Sequence, residues 1–80
     1  MTYMYKYEIC NVFDKNIFDK QCIALEKNIK GIKKASSLED VDGSQITLYE
    51  YKNGKQLIVE NNVLFGVIIN SDFPIEKYFS

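Results

Sequence analysis

Ile46-Thr47-Leu48-Tyr49-Glu50-Tyr51-Lys52-Asn53-Gly54-Lys55-Gln56-Leu57-Ile58-Val59-Glu60 decides the fold of this chain. Two stretches of alternating apolar and polar residues flank Asn53-Gly54. Both central residues of a two-residue type I′ turn need positive φ, which Asn and Gly tolerate and most residues do not, so the dipeptide predicts a β-hairpin. Such a turn sets Lys52 opposite Lys55, then Tyr51 opposite Gln56, Glu50 opposite Leu57, Tyr49 opposite Ile58, Leu48 opposite Val59 and Thr47 opposite Glu60. Side chains alternate with a period of two. One face therefore collects Ile46, Leu48, Leu57 and Val59 and reads as core, while the other collects Thr47, Tyr49, Tyr51, Gln56, Ile58 and Glu60.

Downstream, Asn61-Asn62 reads as a second two-residue turn into Val63–Ile69. It places Leu64, Gly66 and Ile68 on the core face and Val63, Phe65, Val67 and Ile69 on the other. A strand apolar on both sides is either buried on both faces or has a second face that meets another surface. Gly66 is expected either to let a helix approach closely or to mark a bulge. Asn70-Ser71-Asp72-Phe73-Pro74 ends this strand, and Pro74 opens a short helical turn through Ile75 to Phe79. Phe73, Tyr78 and Phe79 are expected to pin the tail across the sheet.

Upstream, Glu39-Asp40-Val41-Asp42-Gly43-Ser44 reads as a turn into the hairpin. Residues 32–38 alternate poorly and are expected to form an edge strand, whose lysines would block unwanted pairing. Before them the period changes. Phe18, Cys22, Leu25 and Ile29 recur at helical spacing with Ile17 and Ala24 beside them, Asp14 can cap the start, and Gly31 can close the end. Lys27 and Lys30 suit the last turn, and Glu26 stands four residues ahead of Lys30. Thr2 to Phe13 reads as a strand with Tyr3, Tyr5, Tyr7, Ile9 and Phe13 on one parity.

These elements predict an α+β two-layer domain. One main helix over about residues 14–30 packs on a four- to five-stranded, mostly antiparallel sheet, in the order β-α-β-β-β-β with a C-terminal helical turn. If the first two strands are parallel neighbours, the crossover between them is right-handed. Eighty residues form one domain, and a chain of this size hides only about 60% of its unfolded surface, so its large apolar side chains must share one core. The composition, 46% hydrophobic and 26% charged, is that of a folded globular domain.

Charge and residue types narrow the function classes. The net charge is −1, so no global field marks a nucleic-acid or membrane ligand. Residues 1–34 carry seven Lys against four acids, and residues 35–60 two Lys against five acids. The chain has no His and no Arg, so the usual base of nucleophilic catalysis and the bidentate phosphate fork are both absent. A coding bias toward Asn, Ile and Lys would give the same composition. Two cysteines without histidine cannot fill a structural zinc site in one chain; Cys10 and Cys22 are expected as packed, reduced thiols. Asp40-Val41-Asp42-Gly43-Ser44 imitates the opening of a calcium loop, but Gln45 and Tyr51 stand where the loop needs Gly and Glu. Glu50 and Glu60 fall on opposite faces in the predicted register and so make no acid–base pair. No glycine-rich phosphate motif is present. The expectation is a non-enzyme with no cofactor and no metal.

The longest apolar run is seven residues, too short to span a bilayer, and the first residues lack the pattern of a signal peptide, which points to a cytoplasmic protein. One helix can cover only one sheet face. The other would expose Tyr49, Tyr51, Ile58, Phe65 and Val67, with Asp40, Asp42, Glu39, Glu50 and Glu60 supplying negative charge. The expected function is protein binding, most concretely as an immunity-protein or antitoxin-type inhibitor that covers the surface of a toxin or nuclease. The contact set is Tyr49, Tyr51, Ile58, Phe65, Glu50, Glu60, Asp40 and Asp42. Two alternatives remain open: a homodimer formed through the same face or an edge strand, and an RNA-binding sheet that stacks bases on Tyr49, Tyr51 and Phe65.

Overall fold

The computed structural model describes residues 3–78, so the expected roles of Thr2 and Phe79 lie outside the described residues. Its elements are β1 (Tyr5–Cys10), α1 (Lys15–Asn28), β2 (Lys33–Glu39), β3 (Gln45–Glu50), β4 (Gln56–Asn62) and β5 (Gly66–Ser71), with short 3-10 turns at Lys52–Gly54 and Glu76–Tyr78. The five strands form one antiparallel sheet in the order β1-β5-β4-β3-β2, with α1 packed on one side. This is the α+β order expected. Strands β1 and β2 lie at opposite edges, so the chain carries α1 across the whole sheet and no parallel crossover forms.

Local signals account for α1. The Asp14 side chain accepts a hydrogen bond from the Ile17 amide at 3.1 Å, satisfying one of the unpaired donors of the first turn. Phe18, Cys22, Leu25 and Ile29 are buried along one stripe. Each large member contributes about 1.5–3 kcal/mol by leaving water. Glu26, expected to pair with Lys30, instead lies 3.8 Å from Lys34 on β2, because the helix ends at Asn28 and Lys30 falls beyond it.

At Asn53-Gly54 the turn forms as expected, with φ of 62° and 75° and the Lys55 amide donating to the Lys52 carbonyl. The register does not follow. The Tyr51 amide, not that of Lys52, donates to the Lys55 carbonyl, so Tyr51 and Lys52 together oppose Lys55 as a bulge. Tyr49 then pairs with Leu57, Leu48 with Ile58 and Thr47 with Val59. A slip of one residue exchanges the two faces of a strand. Thr47 and Tyr49 therefore join Leu57 and Val59 beneath the helix, and Ile46 and Leu48 go to the far side.

The second turn also departs from expectation. Strand β4 runs on through Asn61 and Asn62, and Val63–Phe65 make the turn, with Asn62 opposite Gly66. The Asn62 side-chain oxygen accepts from the Leu64 and Phe65 amides at 2.8 and 3.0 Å, which closes the loop in the manner of an Asx turn. This shift inverts β5 relative to expectation: Val67 and Ile69 are fully buried, and Ile68 faces away from α1. Gly66 faces no helix. It holds φ of 88°, and a Cβ there would run into the Cys10 carbonyl oxygen, where β1 bulges between Glu8 and Cys10.

The core is Phe18, Cys22, Leu25 and Ile29 from the helix with Tyr49, Leu57, Val59, Val67, Ile69, Phe73 and Ile75. Phe73 and Ile75 bring the tail onto the helix side, as expected of Phe73, and the Ile75 amide donates to the Tyr7 hydroxyl at 3.2 Å. Asn61 is buried and bonded at both ends of its amide: its side-chain oxygen accepts from the Asp14 amide at 3.1 Å and its nitrogen donates to Gln45 at 3.1 Å. It ties the start of α1 to the sheet.

Candidate functional site

The ladder registers give the composition of the helix-free face. One row crosses all five strands as Glu8, Ile68, Glu60, Ile46 and Leu38, and the next as Lys6, Asn70, Ile58, Leu48 and Ser36. Ile46, Leu48, Ile58 and Ile68 are the apolar members at the centre of these rows and are half-buried, with Glu60 between Ile46 and Ile68. Leu38 and Phe65, 64% and 66% exposed, stand at the two ends of this group with Leu64 beside the latter. Next to Phe65 an open groove of about 480 Å³ is lined by Ile68, Cys10, Lys6 and Glu8. An antiparallel sheet with one face in water normally turns polar residues outward; four Ile and Leu side chains at the centre depart from that.

Of the residues singled out by the sequence, Ile58, Phe65, Glu50 and Glu60 come to this face, with Glu50 opposite Gln56 and Lys33. Tyr49 does not. It is 0% exposed under α1, where its hydroxyl donates to Glu26 at 2.7 Å. Val67 is likewise buried. Tyr51 packs against the core with its ring 4.7 Å from that of Phe73, stacked at 24°. Tyr49, Tyr51 and Phe65 therefore do not share a face, and the three-ring platform that base stacking on them requires is not formed. Asp40 and Asp42 are exposed in the β2–β3 turn, where their carboxylates accept from the Val41 and Ser44 amides. Glu50 and Glu60 share the helix-free face, a correction of the predicted opposition that follows from the bulge at Tyr51.

Ile46, Leu48, Ile68 and Leu38 are the members the sequence reading missed. Their only signal is strand parity, and parity depends on the length of each turn.

A second cluster lies on the helix side, where Cys22, Glu26, Lys34 and Thr47 line a shallow groove beside Tyr49. Burial, together with the Glu26 carboxylate, holds the Tyr49 hydroxyl far above its ordinary range, and burial pushes the Cys22 thiol up. Both keep their protons at neutral pH, the reverse of what an activated nucleophile needs. The Cys10 thiol is free and donates to the Val12 carbonyl at 3.2 Å. Among the described residues no helix is long and apolar enough to cross a membrane.

A comparison with protein-family models, with curated protein sequences and with solved structures finds no match for this chain.

Proposed function

We propose that this chain is a non-enzymatic protein-binding module whose helix-free sheet face covers a partner, most concretely an inhibitor of the immunity-protein or antitoxin kind. One observation carries the reading: an apolar band of Ile46, Leu48, Ile58 and Ile68, ended by Leu38 and Phe65, lies on the side of the sheet opposite α1. A contiguous apolar area rimmed by polar residues marks an interaction site. Glu60, which stands between Ile46 and Ile68 inside that band, and Glu50 at its edge favour a partner that offers basic groups.

The test is affinity capture from a lysate of the source cells, with wild type and the double variant Leu48→Asp, Ile58→Asp as baits. Wild type should retain a specific protein that the double variant releases, while both give the same circular dichroism. Added in equimolar amount, wild type should suppress the activity of that captured protein. Equal retention by the two baits rules out this face as the contact surface, and capture without suppression rules out inhibition.

A further inference from the structure

Strand β2 is an edge of the sheet, and all seven of its residues are exposed. The turn after it shows which of its backbone groups are unused. The Asp40 amide donates to the Ser44 carbonyl at 2.7 Å and the Gly43 amide to the Asp40 carbonyl at 3.0 Å, so Asp40 and Ser44 are the bonded pair that closes the hairpin. Bonded and non-bonded pairs alternate along an antiparallel ladder. With Leu38 on Ile46 and Ser36 on Leu48, those two residues bond to β3, and Ser37 and Glu39 turn their N–H and C=O groups outward.

We propose that β2 is the docking strand for a second copy of this chain, paired antiparallel about a two-fold axis at Ser37. Charge selects both the occupant and its direction. The strand reads Lys33-Lys34-Ala35-Ser36-Ser37-Leu38-Glu39 and is followed by Asp40. Antiparallel self-pairing brings Lys33 and Lys34 alongside Glu39 and Asp40 of the second copy, twice by symmetry. Parallel pairing sets lysine against lysine and acid against acid, which is unfavourable. Between the charged ends lie Ala35, Ser36, Ser37 and Leu38, of which only Leu38 is bulky. Leu38, 64% exposed, lies one residue from the axis on the helix-free side and becomes the diagonal neighbour of its own copy. The axis stands perpendicular to the sheet, so the two apolar bands continue into each other on one side.

A bulge at Ala35 interrupts the pairing of β2 with β3. Bulges and edge lysines both discourage indiscriminate strand addition. Here they confine regular pairing to residues 36–38 and make the association weak and reversible, while the acids at the other end of the same strand give the lysines a matched partner. The inference does not rest on the function proposed above, because capture through the open face and self-association through the edge are lost by different substitutions.

Sedimentation velocity of the full chain at low salt tests it. Wild type should show a monomer–dimer equilibrium between about 10 µM and 1 mM, weakened as salt screens the end charges. Ser37→Pro removes the outward N–H at the axis without touching a bond to β3, and should sediment as a monomer with unchanged circular dichroism. The double variant Lys33→Glu, Lys34→Glu and the single variant Glu39→Lys should each self-associate at least tenfold more weakly. Mixed in equal amounts, these two should recover a dimer, since acidic ends then meet basic ones. The mixing result involves no backbone change and decides the matter if the proline variant does not fold. Wild type remaining monomeric at 1 mM, or charge variants that associate as wild type does, would overturn the proposal; so would loss of the dimer in Leu48→Asp, Ile58→Asp with retention in Ser37→Pro.

Discussion

Tyr49 shows at the scale of one residue how burial couples this fold to pH. Its ring is sealed under α1 and its hydroxyl donates to Glu26 at 2.7 Å. Burial first, and then the carboxylate, raise its pKa above the ordinary value of 10.0. Above pH 10 the unfolded chain therefore loses this proton while the folded chain keeps it. The folded state binds more protons there, so stability falls as pH rises, by at most about 1.4 kcal/mol per pH unit for one group. Tyr49→Phe should cost about 0.5–1.5 kcal/mol at pH 7 for the lost hydrogen bond and flatten the decline above pH 10, read from urea melts at pH 8 to 11. A decline as steep as that of wild type excludes Tyr49 as its source. Gly66 is constrained by space and by backbone at once: its φ is positive, and an added Cβ meets the backbone of Cys10, Asn11 and Val12. These are fixed atoms of the β1 bulge and cannot swing away as the end of a flexible side chain can. Gly66→Ala should cost roughly 2–4 kcal/mol in a urea melt; a loss below about 1 kcal/mol would mean that β1 shifts freely.

Helix α1 was legible residue by residue because all its determinants are local: a cap at Asp14, a stripe at helical spacing and an end near Gly31. The Asn53-Gly54 turn was legible for the same reason. Which face each strand turns inward was not, because that depends on contacts between elements. The bulge at Tyr51 lets Tyr49 reach Glu26 and Tyr51 stack on Phe73, two partners far away in sequence. Asn61-Asn62 resembles turn chemistry, yet only Asn62 serves a turn, and Asn61 joins α1 to β3 through Asp14 and Gln45. Asn61→Ala would leave the Asp14 amide and the Gln45 side chain, both partly buried, without their partner. The expected loss is about 1–3 kcal/mol, with hydrogen exchange quickened most in the first turn of α1. Protection unchanged in that turn would show that the helix start is held by its packing alone. Residues 33–39 alternated poorly because every one is exposed, so no buried face imposed a period on that strand.

For the molecule as a whole, one helix on five strands leaves the division between core and contact surface open to measurement. The core side chains Leu25, Leu57 and Ile69 lie between two layers, and truncating such a residue to Ala costs about 2–5 kcal/mol. Ile46, Leu48 and Ile58 have a neighbour on one side only and keep part of their area in water. Thr suits a strand as well as Ile does. Replacing all three by Thr should therefore lower stability by no more than about 1 kcal/mol each, while Leu25→Ala alone costs more than any one of them. The same triple variant should bind less of a hydrophobic dye in the native state and remain in solution at higher concentration, since the exposed band is what both measurements sense. A fold that sheds apolar surface at so small a cost in stability keeps that surface for a reason other than its own cohesion. If the triple variant unfolds, or Leu25→Ala proves milder than Leu48→Thr, the helix-free side belongs to the core and the proposed contact surface loses its basis.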